Sequence, residues 1–334
     1  MKKITLLILA GCITLATSAQ LMERPPQEMK PRMRVIIDND FGGDPDGLFQ
    51  LIHHLLSPSV DIRAIIGSHL RAGDGFDTSP HTATHAKQHI EELMEMIGMK
   101  GKYPVYAGSN AGLENLVTPQ PSDAVQAIIR EAMREDTDLP LYVVCGGGLT
   151  EIASAYLTEP RIAEKLILVW IGGMEYPDII LPPPGYARTE YNTAIDIKAA
   201  QVIFNASTIP VWQVPRNAYR QTLVTLAELK QKVAPYGQAG KFLVDKIEFL
   251  LNMMGSETYI LGDSPLVLLT ALQSIFEADT SSSEYELRQS PRINDEGMYE
   301  INREGRLIRV YHKLDTRLMF EDLFAKMQRL LSGN

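Results

Sequence analysis

From residue 34 onward the apolar positions of this chain switch repeatedly between short β-branched runs and helical spacing. Val35-Ile36-Ile37 predicts a buried strand, and Leu48, Leu51, Ile52, Leu55 and Leu56 behind it mark one face of a helix. A second strand is expected from Ile62 to Ile66, followed by helices from His81 to Ile97 and from Ser122 to Met133. Leu141 to Cys145, Leu166 to Trp170 and Ile209 to Val214 read as further buried strands, alternating with helical stretches at Glu151 to Tyr156 and Ile197 to Phe204. Such alternation predicts a single α/β domain with a mostly parallel central sheet and helices on both faces. The C-terminal third is expected to add helices at Lys241 to Met253 and Ser264 to Ile275, a hairpin from Gly297 to Lys313 and a closing helix from Leu314 to Leu331.

The N-terminus breaks this pattern. Met1-Lys2-Lys3, the apolar run Ile4 to Ala16 and the small residues Thr17-Ser18-Ala19 have the three-part layout of a secretory signal. Residues 1–19 are therefore expected to be removed and the protein exported, to the periplasm. Leu9-Ala10-Gly11-Cys12 offers a second reading, a lipoprotein box with Cys12 acylated. The run is shorter than the ~20 residues a membrane-spanning helix needs, so no transmembrane span is expected here or later. Residues 20–33 carry Pro25, Pro26 and Pro31 among charges and read as an extended linker, which leaves 34–334 for the domain.

Composition sharpens this in two ways. Cleavage after Ala19 leaves Cys145 as the one cysteine, so an exported chain without an internal disulfide must rely on a large core, and 334 residues at 45% hydrophobic supply one. The net charge is −9; losing Lys2 and Lys3 from 32 basic residues leaves 30 against 41 acidic, a net of −11. That balance weighs against a nucleic-acid-binding surface, although a local basic groove stays compatible with it.

The acidic excess is not spread evenly. Asp38-Asn39-Asp40-Phe41-Gly42-Gly43-Asp44-Pro45-Asp46-Gly47 puts four carboxylates directly after the first strand. Like charges this close repel unless a cation sits among them, and the loop beyond a strand's carboxyl end faces the ligand crevice of an open α/β sheet. An EF-hand loop is rejected, because Phe49 stands where its bidentate glutamate belongs. A haloacid-dehalogenase-like phosphatase would use Asp38 and Asp40, with Gly262-Asp263-Ser264 as a late metal loop. Gly42-Gly43 and Val267 depart from that pattern.

A longer series of motifs resembles the nucleoside hydrolase family. Asp38 to Asp44 is similar to its opening Asp-x-Asp-x-Gly-x-Asp-Asp motif, with Pro45 interrupting the last pair before Asp46. Pro104-Val105-Tyr106-Ala107-Gly108 resembles its Pro-Val-x-x-Gly segment, and Gly146-Gly147-Gly148-Leu149-Thr150-Glu151-Ile152-Ala153 its Gly-Gly-Leu-Thr-Asn-Ile-Ala turn. Gly172-Gly173-Met174, Glu190-Tyr191-Asn192 with Asp196 to Ala200, and Gly262-Asp263-Ser264-Pro265-Leu266 follow in family order. The Asp-Pro-Asp-Gly and Gly-Asp-Ser-Pro variants mark a divergent branch.

The resemblance implies a Rossmann-related fold and a calcium-dependent hydrolase that cleaves the N-glycosidic bond of ribonucleosides or related N-ribosides. It implies Asp40, Asp46 and Asp263 as calcium ligands with the Gly146 carbonyl, Asp40 taking a proton from the attacking water, and Asp44, Ser68, Glu190, Asn192 and Asp263 on the ribosyl group. Asp38 supports the loop. Glu190, Asn192 and Asp263 also read as helix-start residues, and the two roles are compatible. Because Gly262 stands where some members carry a proton-donating histidine, another donor is needed, with Tyr186, Arg188 and Tyr191 at hand. The expected partner is a small nucleoside; a homo-oligomer stays open. A noncatalytic ribosyl- or carbohydrate-binding protein on the same fold is the alternative from another class, and the phosphatase the third. Of the other groups, His53-His54 is expected to face partly outward, His69 to approach the crevice, His81, His85 and His89 to form a solvated stripe, and Cys145 to pack.

Overall fold

The computed structural model describes residues 29–186, 188–276 and 279–330. The expected export signal at 1–19, the alternative acylation site at Cys12 and most of the expected linker lie outside the described residues. Among the described residues no helix is long and apolar enough to cross a membrane.

The strands are β1 (Met33–Asn39), β2 (Val60–Gly67), β3 (Val105–Ala107), β4 (Leu141–Cys145), β5 (Leu166–Ile171), β6 (Val211–Val214), β7 (Leu223–Thr225), β8 (Thr258–Ile260), β9 (Glu284–Gln289), β10 (Arg292–Ile293), β11 (Tyr299–Glu300) and β12 (Leu307–Lys313). Between and after them run helices α1 (Asp46–Leu55), α2 (Thr82–Met96), α3 (Asp123–Ala132), α4 (Thr150–Thr158), α5 (Tyr191–Ile195), α6 (Ile197–Gln201), α7 (Arg216–Tyr219), α8 (Leu226–Lys232), α9 (Gly237–Met254), α10 (Pro265–Leu268) and α11 (Thr316–Arg329). The central sheet has the order β3-β2-β1-β4-β5-β6-β12-β9 and is parallel except at β9. This is the single α/β domain the alternation predicts.

Successive residues of each central strand feed opposite cores. Val35 and Ile37, with Tyr142 and Val144, pack among the side chains of α1, α9 and α11. Ile36, with Val143, Leu168 and Trp170, packs among those of α3, α4 and α6. Both faces being covered is what makes these strands continuously apolar. Because the chain runs outward in both directions from β1 and β4, their carboxyl ends frame the crevice at the topological switch point.

Gly67 ends β2 where α2 crosses the sheet: a Cβ there would lie 2.6 Å from the Lys87 backbone nitrogen and 2.8 Å from the Ala86 carbonyl carbon. Gly67→Ala is expected to push α2 outward and cost ~1–3 kcal/mol, the usual range for overpacking, measurable by urea unfolding.

Three expectations are corrected. The hairpin from Gly297 to Lys313 does not form; β12 pairs with β6 and with β9, while β11 pairs with β10. The helix from Ser264 to Ile275 is one turn long, ending at Leu268, and beyond it the Ala271 carbonyl accepts from Ser59 (2.8 Å) and Arg32 instead of a later helical N–H. His53 and His54 face inward and are fully buried. His53 Nε2 meets Asp322 at 2.7 Å, and α10 covers His54 from the other side.

Candidate active site

Beyond β1 the chain turns sharply, the Gly43 N–H donating to the Asp40 carbonyl at 2.8 Å, and then enters α1 at Asp46. This loop, the Gly146 end of β4 and residues 171, 190–192 and 260–263 enclose a cavity of about 270 Å³. Asp40, Asp44, Asp46, Glu190 and Asp263 line it together with Asn192, Gly146, Tyr191, Tyr219 and Phe76. Among the described residues its lining contains no lysine, arginine or histidine.

Charge without countercharge shows in the titration of these groups. Burial, then the charges of Asp263, Asp44 and Asp74, push the Asp40 carboxyl well above the usual carboxylate range. Asp46 is pushed up in the same way, by burial and then by Asp263, Asp44 and Asp40. Asp263 is pushed up to about 7, chiefly by burial. Five carboxylates in one cavity with no basic side chain form the donor set a hard divalent cation takes. Among the described residues no group of three or more Asp, Glu, His or Cys side chains is arranged to hold a metal ion by itself. Asp40, Asp46, Asp263 and the Gly146 carbonyl therefore share the cavity without closing a coordination sphere, and water or substrate hydroxyls would complete one.

The remaining expected residues divide into those in the cavity and those behind it. Asp44 accepts from the Tyr259 hydroxyl at 2.7 Å and from the Asp46 N–H at 3.2 Å, so it also holds the loop around Pro45. The Asp46 carboxylate in turn accepts from the Asp263 N–H at 3.2 Å. Glu190 both lines the cavity and caps α5, accepting from the N–H groups of Gly173 (2.8 Å), Asn192 (3.2 Å) and Thr193 (3.0 Å) and from the Tyr219 hydroxyl (3.0 Å). Asn192 donates to the carbonyls of Gly146 (3.0 Å) and Ile171 (2.7 Å), which leaves its own oxygen for a ligand.

Ser68 is the exception. It is buried against Asp38 below the loop and does not line the cavity, because the register of β1 with β2 carries it one step past Gly67 and behind the strand end. Asp38 is fully buried at the end of β1, packed near Cys145, with its carboxyl pushed up by burial and then by Glu151. His69 does not reach this cavity; its Nε2 pairs with Thr150 at 2.8 Å beside a separate depression. His85 pairs with Asp77 at 2.7 Å on the surface. Of the three candidate proton donors only Tyr191 lines the cavity, and its hydroxyl donates to Asp74 at 2.8 Å; Tyr186 lies between the guanidinium groups of Arg188 and Arg216.

Several site residues carried no assignment from sequence. Tyr219 and Tyr259 reach in from elements far along the chain, and Asp74 acts through Tyr191. Asn39, inside the acidic loop itself, donates to Asp263 at 2.9 Å. Its position between Asp38 and Asp40 was the available signal.

The model of the inosine-uridine preferring nucleoside hydrolase family matches residues 35–318. At the level of sequence no curated protein matches the chain. Among solved structures, a purine-preferring ribonucleoside hydrolase from Gardnerella vaginalis is similar at TM-score 0.69 and 19% identity, over 90% of this chain and 100% of that one. An inosine-guanosine nucleoside hydrolase is similar at TM-score 0.67 and 18% identity, over 89% and 99%. An inosine-uridine preferring nucleoside hydrolase from Bacillus anthracis is similar at TM-score 0.63 and 17% identity, over 89% and 99%. At these identities the structures speak to fold, while the family match spans nearly the whole domain and leaves the phosphatase reading without support. The chain belongs to the inosine-uridine preferring nucleoside hydrolase family and is an N-glycosyl hydrolase.

Proposed function

We propose that the protein, exported from the cell, hydrolyses the N-glycosidic bond of ribonucleosides or related N-ribosides in a calcium-dependent reaction. The observation that carries this reading is the cavity at the β1–β4 switch point, lined by five carboxylates and no basic side chain. Asp40, Asp46, Asp263 and the Gly146 carbonyl would hold the calcium ion. When bound, the ion supplies positive charge that lowers the pKa values of the surrounding carboxyls and of nearby water. Asp40 accepts the proton of the attacking water. Asp44, Glu190, Asn192 and Asp263 orient the ribosyl hydroxyls, and Asn192 has its amide fixed by two carbonyls for that purpose. A pocket built to pair with hydroxyls leaves its own groups unpaired around a deoxyriboside, which costs both binding and rate.

The test is ribose release from a panel of inosine, guanosine, uridine, cytidine and their 2′-deoxy counterparts, with calcium and with EDTA. Release from at least one riboside, abolished by EDTA and restored by calcium, is expected, with the deoxyribosides slower by about tenfold or more. Binding of ribosides without release across the panel would instead identify a carbohydrate-binding protein on this fold.

A further inference from the structure

Behind Asp263 a line of buried polar side chains runs through the core between β1, α1 and α10. Asn39, Gln50, His54 and Thr270 are all fully buried. The Thr270 hydroxyl lies 2.6 Å from the Leu266 carbonyl, His54 Nε2 lies 3.0 Å from Thr270 Oγ1, and Gln50 Nε2 pairs with His54 Nδ1. Asn39 Nδ2 lies 3.3 Å from Gln50 Oε1 and 2.9 Å from Asp263 Oδ2.

The proton directions along this line follow from its far end. A carbonyl only accepts, so the single Thr270 proton goes to Leu266. Thr270 Oγ1 must then accept from His54 Nε2–H. A neutral imidazole has one N–H, so His54 Nδ1 accepts from the Gln50 amide nitrogen. That leaves Gln50 Oε1 facing Asn39, which must answer with an N–H and has one more N–H for Asp263. Burial, and then the neighbouring His53 and Lys326, push His54 well below its ordinary pKa, which keeps the neutral form this order requires.

Asn39 holds this orientation although its own side-chain oxygen is buried without a partner. Turning the amide over would set that oxygen against the Asp263 carboxylate and the Gln50 oxygen. Two glycines frame it: a Cβ at Gly146 would lie 2.6 Å from Asn39 Cγ, and one at Gly47 3.2 Å from the same atom. Gly146 therefore makes room for the amide as well as presenting its carbonyl to the cavity.

We propose that the Thr270–His54–Gln50–Asn39 chain is a positioning device that fixes the orientation of the Asp263 carboxylate for cation binding, its direction set at the Leu266 carbonyl and passed to Asn39 through Gln50. The proposal rests on the reading of the cavity as a calcium site. Asp263 is thereby tied through one oxygen to the end of β1 and enters the cavity in a single orientation, prepared before the ion arrives.

Calcium titrated calorimetrically into the EDTA-stripped, full-length protein tests it. Gln50→Leu keeps the side-chain volume but cannot accept from Asn39, and is expected to weaken calcium binding about tenfold, the scale of one hydrogen bond to a charged group. Gln50→Glu still offers an acceptor to Asn39 and is expected to stay within about threefold of the wild type, His54 gaining a proton at Nδ1 to pair with the new carboxylate while its Nε2–H still donates to Thr270. Circular dichroism and melting temperature establish folding of each variant. Should Gln50→Leu not fold, Thr270→Val releases the far end of the chain and is expected to weaken binding in the same direction by about threefold. A folded Gln50→Leu or Thr270→Val with unchanged calcium affinity, or a Gln50→Glu as weak as Gln50→Leu, overturns the positioning role while leaving the calcium site standing. A folded wild type without calcium affinity overturns both.

Discussion

Asp40→Asn is expected to lower kcat for nucleoside hydrolysis by about 10²–10⁴-fold, the usual contribution of a positioned general base. Asparagine has the same shape, so the tight packing of this side chain against Gly147 survives: a Cβ on that glycine would lie 3.1 Å from the Asp40 carboxyl carbon. What disappears is the ability to accept a proton. In the ion-free cavity burial and three neighbouring carboxylates favour the protonated form of Asp40, so it can serve as a base only when positive charge offsets them. The measurement therefore belongs at saturating calcium, where a weakened ion affinity of the variant does not masquerade as lost chemistry. Asp44→Asn is the comparison. Its carboxylate is already engaged by Tyr259 and the Asp46 N–H, and it is expected to raise KM more than it lowers kcat. An Asp40→Asn enzyme retaining more than about a tenth of kcat would remove Asp40 from the role of base.

The legible parts of this molecule were those written locally. β4 and β5, and Val35 to Ile37 of β1, are buried on both faces, so their sequences are continuous apolar runs that alternation with helices assigns to a parallel sheet. The carboxylates of the first loop were legible because four of them follow a strand within a few residues. Long-range pairing was not: the alternating burial of Leu307 to Lys313 is the same whether the partner is a hairpin neighbour or a strand such as β6, nearly a hundred residues back in the chain. His53 and His54 looked partly solvated because α1 on its own has a polar side; α10 and α11 cover it, and Thr270 and Asp322 are the partners that make two buried imidazoles tolerable. Ser68 does not line the cavity, and its nearness to the end of β2 says nothing about which side of that end its hydroxyl takes. Tyr219, Tyr259 and Asn39 act on Glu190, Asp44 and Asp263, contacts that exist only once the fold has brought distant elements together.

The same uncompensated charge should give the ion-free cavity a contribution to stability that falls as pH rises. Asp263 has a folded-state pKa of about 7, against ~3.9 for an aspartate in an unfolded chain. Between those values the native protein holds a proton that the unfolded chain has released, so stability is greatest below pH ~4 as far as this group is concerned and falls as pH rises toward 7. This carboxyl therefore withdraws stability as pH rises across the window, and Asp40 and Asp46 act in the same direction. Calcium reverses the sign, because it binds the deprotonated carboxylates and stabilises the native state alone, by ~2.7 kcal/mol at a hundred times its Kd. Thermal unfolding at pH 5 and pH 8, each with EDTA and with calcium, reads this directly. In EDTA the change in melting temperature from pH 5 to pH 8 should be less favourable in the wild type than in Asp263→Asn, the buried neutral His53 and His54 acting in the opposite direction equally in both, and the calcium-induced rise should be larger at pH 8. Asp263→Asn should flatten the EDTA profile and raise stability at pH 8, since the amide carries no charge to desolvate. A dependence of the EDTA form on pH that Asp263→Asn leaves unchanged, or a calcium effect of equal size at both pH values, would mean that these carboxylates are already compensated within the protein, and the cavity would lose its case as a cation site.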